Sequence, residues 1–108
     1  MSKWNLCCAL TGALLVNSVS AAAADGDAAA GRQVAETCFG CHAIDGYYNV
    51  YPSYHVPRIG GQQAGYIAAA LKEYREGGRK HDTMHANAAN LTDDMIANIA
   101  AFVATQGK

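Results

Sequence analysis

The sequence predicts a small all-α domain, and three features carry that prediction. Alanine is abundant, apolar residues recur at helical spacing, and alternating runs of β-branched and polar residues are missing. At 108 residues the chain has room for one compact domain and little more. We therefore expect a single core built from helices.

The first 24 residues have the pattern of a secretory signal peptide. Lys3 precedes an apolar run from Leu6 to Val16, and small residues from Ser18 to Ala24 follow it. The run of 11 residues is too short to span a bilayer, which takes roughly 20. We expect cleavage after Ala24, which sends residues 25–108 to the periplasm without stable membrane insertion. The alternative is an uncleaved anchor.

Removal of this segment changes the cysteine count and the charge. Cys7 and Cys8 depart with it, which leaves Cys38 and Cys41 as the cysteines of the exported domain. That domain carries seven Lys and Arg against nine Asp and Glu. Domains that bind nucleic acid have concentrated basic surfaces and usually a pI above about 9, so we expect no nucleic-acid partner.

Three helices are predicted in the exported domain. The first covers about Asp27 to Cys41 and has carboxylates at its positive end. The second covers about Gln63 to Glu76 and ends at a glycine pair. The third begins at Thr92, whose hydroxyl suits an N-cap. Two loops connect them, Ala43 to Gly61 and Arg79 to Asn90, and the second has room for a short helical turn.

The segment Cys38-Phe39-Gly40-Cys41-His42 is a C-x-x-C-H sequence, which is typical of covalent haem attachment. The separation of three residues puts both sulfurs on one side of a helical turn, where each can form a thioether with a vinyl group. The imidazole of His42 can then reach the iron as its proximal ligand. The motif predicts one covalently attached haem c per chain.

Three other interpretations of the two cysteines compete with haem attachment: a structural disulfide, a thioredoxin-like redox pair and half of a zinc site. A thioredoxin-like pair would follow a strand in a βαβ unit, which the sequence does not indicate. A zinc site would need further ligands, and the exported domain offers only scattered histidines. Haem attachment agrees best with the adjacent His42 and with export.

Further segments resemble the class I c-type cytochromes, above all the small bacterial monohaem forms and single halves of the dihaem c4 group. The segment 57–62 looks like the family's Pro-x-Leu-x-Gly-Gln, 91–94 looks like its Leu-Ser-Asp helix start, and 99–102 is similar to its Leu-Ala-Ala-Tyr. The resemblance covers Asp27 to Gln106. It implies the class I cytochrome c fold for residues 25–108, with three main helices packed around the haem. It also implies that the carbonyl of Pro57 accepts the Nδ1 proton of His42 and orients that ligand.

The second axial ligand is to be chosen from Met84, Met95, His55, His81 and His85. Met95 lies on the apolar stripe of the third helix, so we interpret it as core packing. Met84 lies in a polar loop where no apolar periodicity explains it, and its distance from Leu91 is similar to that of the family's axial methionine. We predict Met84 as the ligand, with His81 or His85 as the alternatives.

An iron with both axial positions filled can change its charge but has no position for a substrate. We therefore predict an electron carrier rather than an enzyme, with a redox donor and acceptor such as a dehydrogenase or a terminal oxidase. One alternative is a haem c subunit bound permanently in a periplasmic dehydrogenase or oxidase complex. Another is a ligand-binding or peroxidase-like protein with an open sixth position.

Two further clusters of side chains each allow two interpretations. Four tyrosines in the first loop either pack on the domain, which we favour, or cover the haem edge or meet a partner: Tyr47, Tyr48, Tyr51 and Tyr54. Four cations lie near the end of the second helix: Lys72, Arg75, Arg79 and Lys80. The helix dipole accounts for Lys72 and Arg75. Arg79 and Lys80 lie beyond the glycine pair, where they either have the same role or steer an acidic partner toward the haem.

Overall fold

The computed structural model describes residues 25–107, which form five helices and one two-stranded antiparallel sheet. The helices are α1 (Ala28–Val34), α2 (Glu36–His42), α3 (Ala64–Glu76), α4 (Asp82–Ala88) and α5 (Asp93–Thr105). The strands are β1 (Tyr48–Val50) and β2 (Ser53–His55). Within the described residues, no helix has the length and apolar character needed to cross a membrane. The predicted signal peptide, residues 1–24, lies outside them.

The predicted helical class is confirmed, with three differences in detail. The first predicted helix is two helices that meet at Ala35, which ends α1 and precedes α2 and has a ψ of −5°. The loop from Ala43 to Gly61 contains the β1–β2 hairpin, whose three-residue strands are too short to show an alternating pattern. The prediction that Met84 lies in a polar loop is wrong, because this residue lies in α4.

The core is formed mainly by α3 and α5. Its buried members are Ala35, Ile67, Ala68, Leu71, Ala88, Ile96, Ile99, Ala100 and Val103. The α5 stripe of Ile96, Ile99, Ala100 and Val103 is buried as its spacing predicts. The prediction that Met95 packs in the core is wrong. Met95 lies in the first turn of α5, is only partly buried, and is not among the described side chains that pack against this core. Met84 is one of them.

Helix α1 packs closely against α5 because Gly31 is buried at their crossing. A Cβ atom at this position would collide with the backbone carbonyl of Asn98. The Asp27 side chain caps α1, and its backbone N–H donates to Asn98 Oδ1 at 2.8 Å. The rings of Phe39 and Phe102 meet edge to face at 5.7 Å. The start of the domain is thereby fixed to its last helix.

Arg75 joins the end of α3 to the start of α5. Its guanidinium donates to the carbonyl of Leu91 at 3.0 Å and pairs with Asp93 at 2.8 Å and Glu76 at 3.2 Å. The hydrogen bond from Arg75, with a contribution from the charge of Lys72, lowers the pKa of Asp93. These contacts hold the two helices that supply most of the core in register.

We expect Gly31→Ala to lower the free energy of unfolding by about 1–3 kcal/mol, the usual cost of forcing extra atoms into a packed interface. Guanidinium chloride unfolding would measure this difference. Gly65→Ala is the matched control, because a Cβ there meets nothing within 4 Å. That substitution should be neutral or slightly stabilising, and equal losses in both variants would contradict the close α1–α5 crossing.

Asp93→Asn should lower the free energy of unfolding at pH 7, because it removes the carboxylate that pairs with Arg75. The pKa of Asp93 is lower in the folded protein than in the unfolded chain, so its stabilising effect is present above about pH 4 and is lost as the pH falls further. Urea unfolding at pH 7 and pH 3 should therefore show a difference that shrinks in acid. Asp94→Asn changes the same charge in the same helical turn, and it should not reproduce the effect of Asp93→Asn.

Candidate functional site

A cavity of about 470 Å³ lies beside the core, with walls supplied by α2, the hairpin, α3 and α4. Its apolar lining includes the core residues Ile67, Leu71 and Ile99. The predicted site residues all line it: Cys38, Cys41, His42, Pro57 and Met84. Residues separated by up to 46 positions in the sequence are thus brought to one cavity.

The two thiols are presented by α2. Cys38 is partly buried, Cys41 is exposed, and both are free. Burial raises the pKa of the Cys38 thiol, whereas a thioredoxin-like pair depends on a lowered thiol pKa. Among residues 25–107, no group of three or more His, Cys, Asp or Glu side chains could hold a metal ion. Neither the disulfide nor the zinc interpretation of this motif therefore has support in the described part of the chain.

His42 is the last residue of α2, and its ring is held by one hydrogen bond. The Nδ1 atom lies 2.6 Å from the carbonyl oxygen of Pro57. A carbonyl can only accept, so Nδ1 carries the proton and Nε2 keeps a free lone pair. This is the tautomer that a histidine needs to bind a metal through Nε2. The hydrogen bond has the form that the family resemblance implies.

The carbonyl of Pro57 is itself firmly placed. Val56 is buried, and its N–H donates to the carbonyl of Tyr47 at 2.9 Å. Arg58 pairs with Asp45, which follows α2 closely in the chain. Further along, the N–H of Gly61 donates to the carbonyl of Val103 at 2.9 Å. The acceptor for His42 is therefore fixed by contacts on both sides.

Met84 lies in α4, carries a thioether and lines the cavity. Two of the other candidates for the second ligand do not. Met95 and His85 do not line the cavity. His85 instead donates from Nδ1 to the carbonyl of Tyr74 at 2.8 Å and attaches α4 to α3. Met84 is partly buried, packs against the core and lines the cavity.

His81 and His55 also line the cavity, but their local roles differ from that of Met84. The Nδ1 atom of His81 accepts from the backbone N–H of Met84 at 3.4 Å and caps α4. Its proton therefore lies on Nε2, which has no free lone pair in this tautomer. His55 is exposed on β2, with its ring 6.0 Å from that of Tyr48.

One face of α3 lines this cavity, and no expectation from the sequence assigned it there. Tyr66, Ala70 and Tyr74 recur every four residues and all line it, with the small alanine between two rings. Arg79 lies over the Tyr74 ring at 4.9 Å, and its guanidinium is 3.5 Å from the Tyr66 hydroxyl. A large, small, large pattern at helical spacing is the signal that could have indicated a wall shaped for a flat group.

The four cations of the predicted basic cluster are divided by the fold. Arg75 is engaged at the α3–α5 junction, and Lys72 lies close enough to Asp93 to lower its pKa. Arg79 lines the cavity, whereas Lys80 is exposed and does not. Of the two arginines that line the cavity, Arg58 pairs with Asp45, and Arg79 has no carboxylate partner among the described residues. Arg79 is thus the cavity-lining arginine without a carboxylate partner in this part of the chain.

Comparison with known proteins shows which family the chain resembles. The cytochrome c family profile matches residues 28–107. The chain belongs to the cytochrome c family. It is 42% identical over 84 residues to cytochrome c-554(548) of Halomonas halodenitrificans, an alignment that covers 75% of this chain and 98% of the relative.

Longer relatives match over part of their length. Cytochrome c4 of Pseudomonas aeruginosa is 36% identical over 83 residues, which cover 77% of this chain and 40% of the relative. Cytochrome c4 of Azotobacter vinelandii is 39% identical over 70 residues, which cover 61% of this chain and 32% of the relative. The chain therefore spans well under half the length of these c4 relatives. The predicted class I type and its likeness to one half of c4 are confirmed.

Family membership makes the chain an electron-transfer haem protein with covalently bound haem c, which exchanges electrons with redox partners. The prediction of a carrier rather than an enzyme is confirmed. The cavity fits that cofactor chemically: it has two thiols for thioether bonds, an imidazole with a free Nε2, a thioether and apolar walls.

Proposed function

We propose that this chain carries single electrons in the periplasm on one haem c, attached through Cys38 and Cys41 and ligated by His42 and Met84. One observation supports it most strongly. All four side chains line a single cavity, and the hydrogen bond to Pro57 leaves Nε2 of His42 free. Two thiols, one imidazole and one thioether are the complete donor set of a six-coordinate c-type centre.

The side chains of this site have distinct tasks. A bound haem c supplies an iron that gains and loses one electron. Pro57 holds the Nδ1 proton of His42, which orients the ring and increases its strength as a donor. Met84 contributes a soft thioether, which favours ferrous over ferric iron and raises the reduction potential. If His42 and Met84 both bind the iron, they leave no position on it for a substrate.

The cavity walls suit the remainder of the cofactor. Ile67, Leu71 and Ile99 offer an apolar surface for the macrocycle. Arg79, steadied by Tyr66 and Tyr74, offers a positive charge for its carboxylates. These residues would hold the haem in one orientation while the thioethers prevent its loss.

We also propose that residues 1–24 direct the chain to the periplasm and are removed after Ala24, in keeping with the apolar run and the small residues that follow it. There it would accept electrons from one redox protein and pass them to another, such as a dehydrogenase and a terminal oxidase. Isolation of the protein without a larger chain would support a free carrier. Constant co-purification with one would indicate a permanent subunit.

The covalent attachment predicts that haem stays with the exported protein in acidified acetone, which extracts non-covalent haem. Cys38→Ala combined with Cys41→Ala should abolish this retention, as measured by the absorbance of the pyridine haemochrome. Cys7→Ser combined with Cys8→Ser is the control, because those cysteines lie in the predicted leader. Unchanged retention after loss of Cys38 and Cys41 would refute the attachment.

The His/Met ligation predicts a sulfur-to-iron charge-transfer band in the far-red spectrum of the ferric protein. Met84→Ala should abolish the band, lower the reduction potential and admit external ligands, because it removes the thioether and vacates a position. Met95→Leu should keep the band and cost less than about 1.5 kcal/mol in stability, as near-isosteric swaps do. Loss of the band in Met95→Leu but not in Met84→Ala would reverse the assignment. A native protein without the band would favour His81.

A further inference from the structure

The tyrosine-rich segment after the haem-attachment motif forms the β1–β2 hairpin, and one of its faces is turned to the cavity. Asn49 pairs with Tyr54 across the two strands, and both line the cavity. The residues around them are open to solvent: Val50 is 86% exposed and Tyr51 is 95% exposed. Packing on the domain, the interpretation that we favoured for these tyrosines, therefore holds only for the hairpin residues that face the cavity.

Tyr54 reaches from this hairpin to the first turn of α4. Its hydroxyl donates to Thr83 Oγ1 at 3.0 Å, and its ring meets that of His81 edge to face at 4.7 Å. Thr83 directly precedes Met84, and His81 caps the backbone N–H of Met84. Both contacts of Tyr54 thus fall on residues that determine where the Met84 backbone lies.

The same segment is joined to the other axial ligand. Pro57 lies three residues after Tyr54, and its carbonyl accepts from His42. Between them, buried Val56 closes the base of the hairpin through its hydrogen bond to Tyr47. Residues 54–57 therefore connect the contact that orients His42 with the contact that holds the turn before Met84.

Helix α4 needs such support. It has seven residues, and helices this short are unstable without tertiary contacts. Its one fully buried residue is Ala88, at its end, while Met84 lies in its first half. His85 attaches the middle of α4 to α3 through Tyr74. Tyr54 connects the hairpin to the beginning of α4 through its contacts with Thr83 and His81.

We propose that the hairpin, residues 47–56, is a strap that keeps the Met84 sulfur in place at the cavity, and that Tyr54 is its positioning residue. This inference rests on the proposed ligation by Met84. In the absence of the Tyr54 hydroxyl, the first turn of α4 opens more often, and an external ligand displaces the Met84 thioether more readily. The Tyr54 ring still contacts His81 in a phenylalanine variant, so Tyr54→Phe tests the hydroxyl alone.

The experiment measures the rate at which imidazole replaces Met84 in the ferric holoprotein. Loss of the charge-transfer band is the signal that monitors this replacement. Tyr54→Phe should raise the rate by about two- to tenfold, the range set by the net free energy of one hydrogen bond. Thr83→Val should give a similar rise, and the double variant should add little to either, because both remove the same bond. Tyr51→Phe, at an exposed position of the same hairpin, should leave the rate unchanged.

The rates should also depend only weakly on low concentrations of urea, because displacement of Met84 requires local opening of α4 and not global unfolding. Equal rates in Tyr54→Phe and Tyr51→Phe would overturn the strap while the Met84-dependent band still stood. Rates that follow global unfolding would reduce Tyr54 to a general stabilising residue and would likewise overturn it. A native protein without a Met84-dependent band would overturn both this inference and the proposed ligation.

Discussion

The hydrogen bond between His42 and Pro57 is the constraint on which the site depends. It fixes the tautomer of the imidazole, and through Pro57 it ties the end of α2 to the segment that leads from the hairpin to α3. Buried Val56 and the Arg58–Asp45 pair keep that segment in place. Because the two cysteines precede His42 on the same helix, one bond sets the orientation of the whole attachment motif toward the cavity.

The cavity and the hydrophobic core share their side chains. Ile67, Leu71 and Ile99 are core residues that also line the cavity, so the cavity wall and the protein interior form one continuous apolar surface. A domain of this size buries little surface by itself, and a large apolar group adds substantially to it. The stability of the domain and the shape of the cavity are therefore coupled, because a change in these three residues affects both.

Local chemistry accounts for what could be predicted from the sequence. The C-x-x-C-H motif and the α5 stripe are encoded in contiguous residues. The stripe is buried, and the cysteines and histidine of the motif line the cavity. The placement of Met84 in a loop and of Met95 in the core failed because α4 is short and mostly polar, while Met95 lies in the first turn of α5. The contact of Tyr54 with Thr83 joins residues 29 positions apart, and no local pattern indicates it.

The packing of α1 on α5 has a consequence for how the domain folds. The hydrogen bond between Asp27 and Asn98 spans 71 residues, and α5 contributes four of the buried core residues. A nascent chain that still lacks α5 has no partner for α1 and little interior to gain, so the cost of ordering its backbone exceeds the benefit. Helix α5 therefore completes the core of residues 25–107. Folding of this domain is a single cooperative event that waits until α5 can pack.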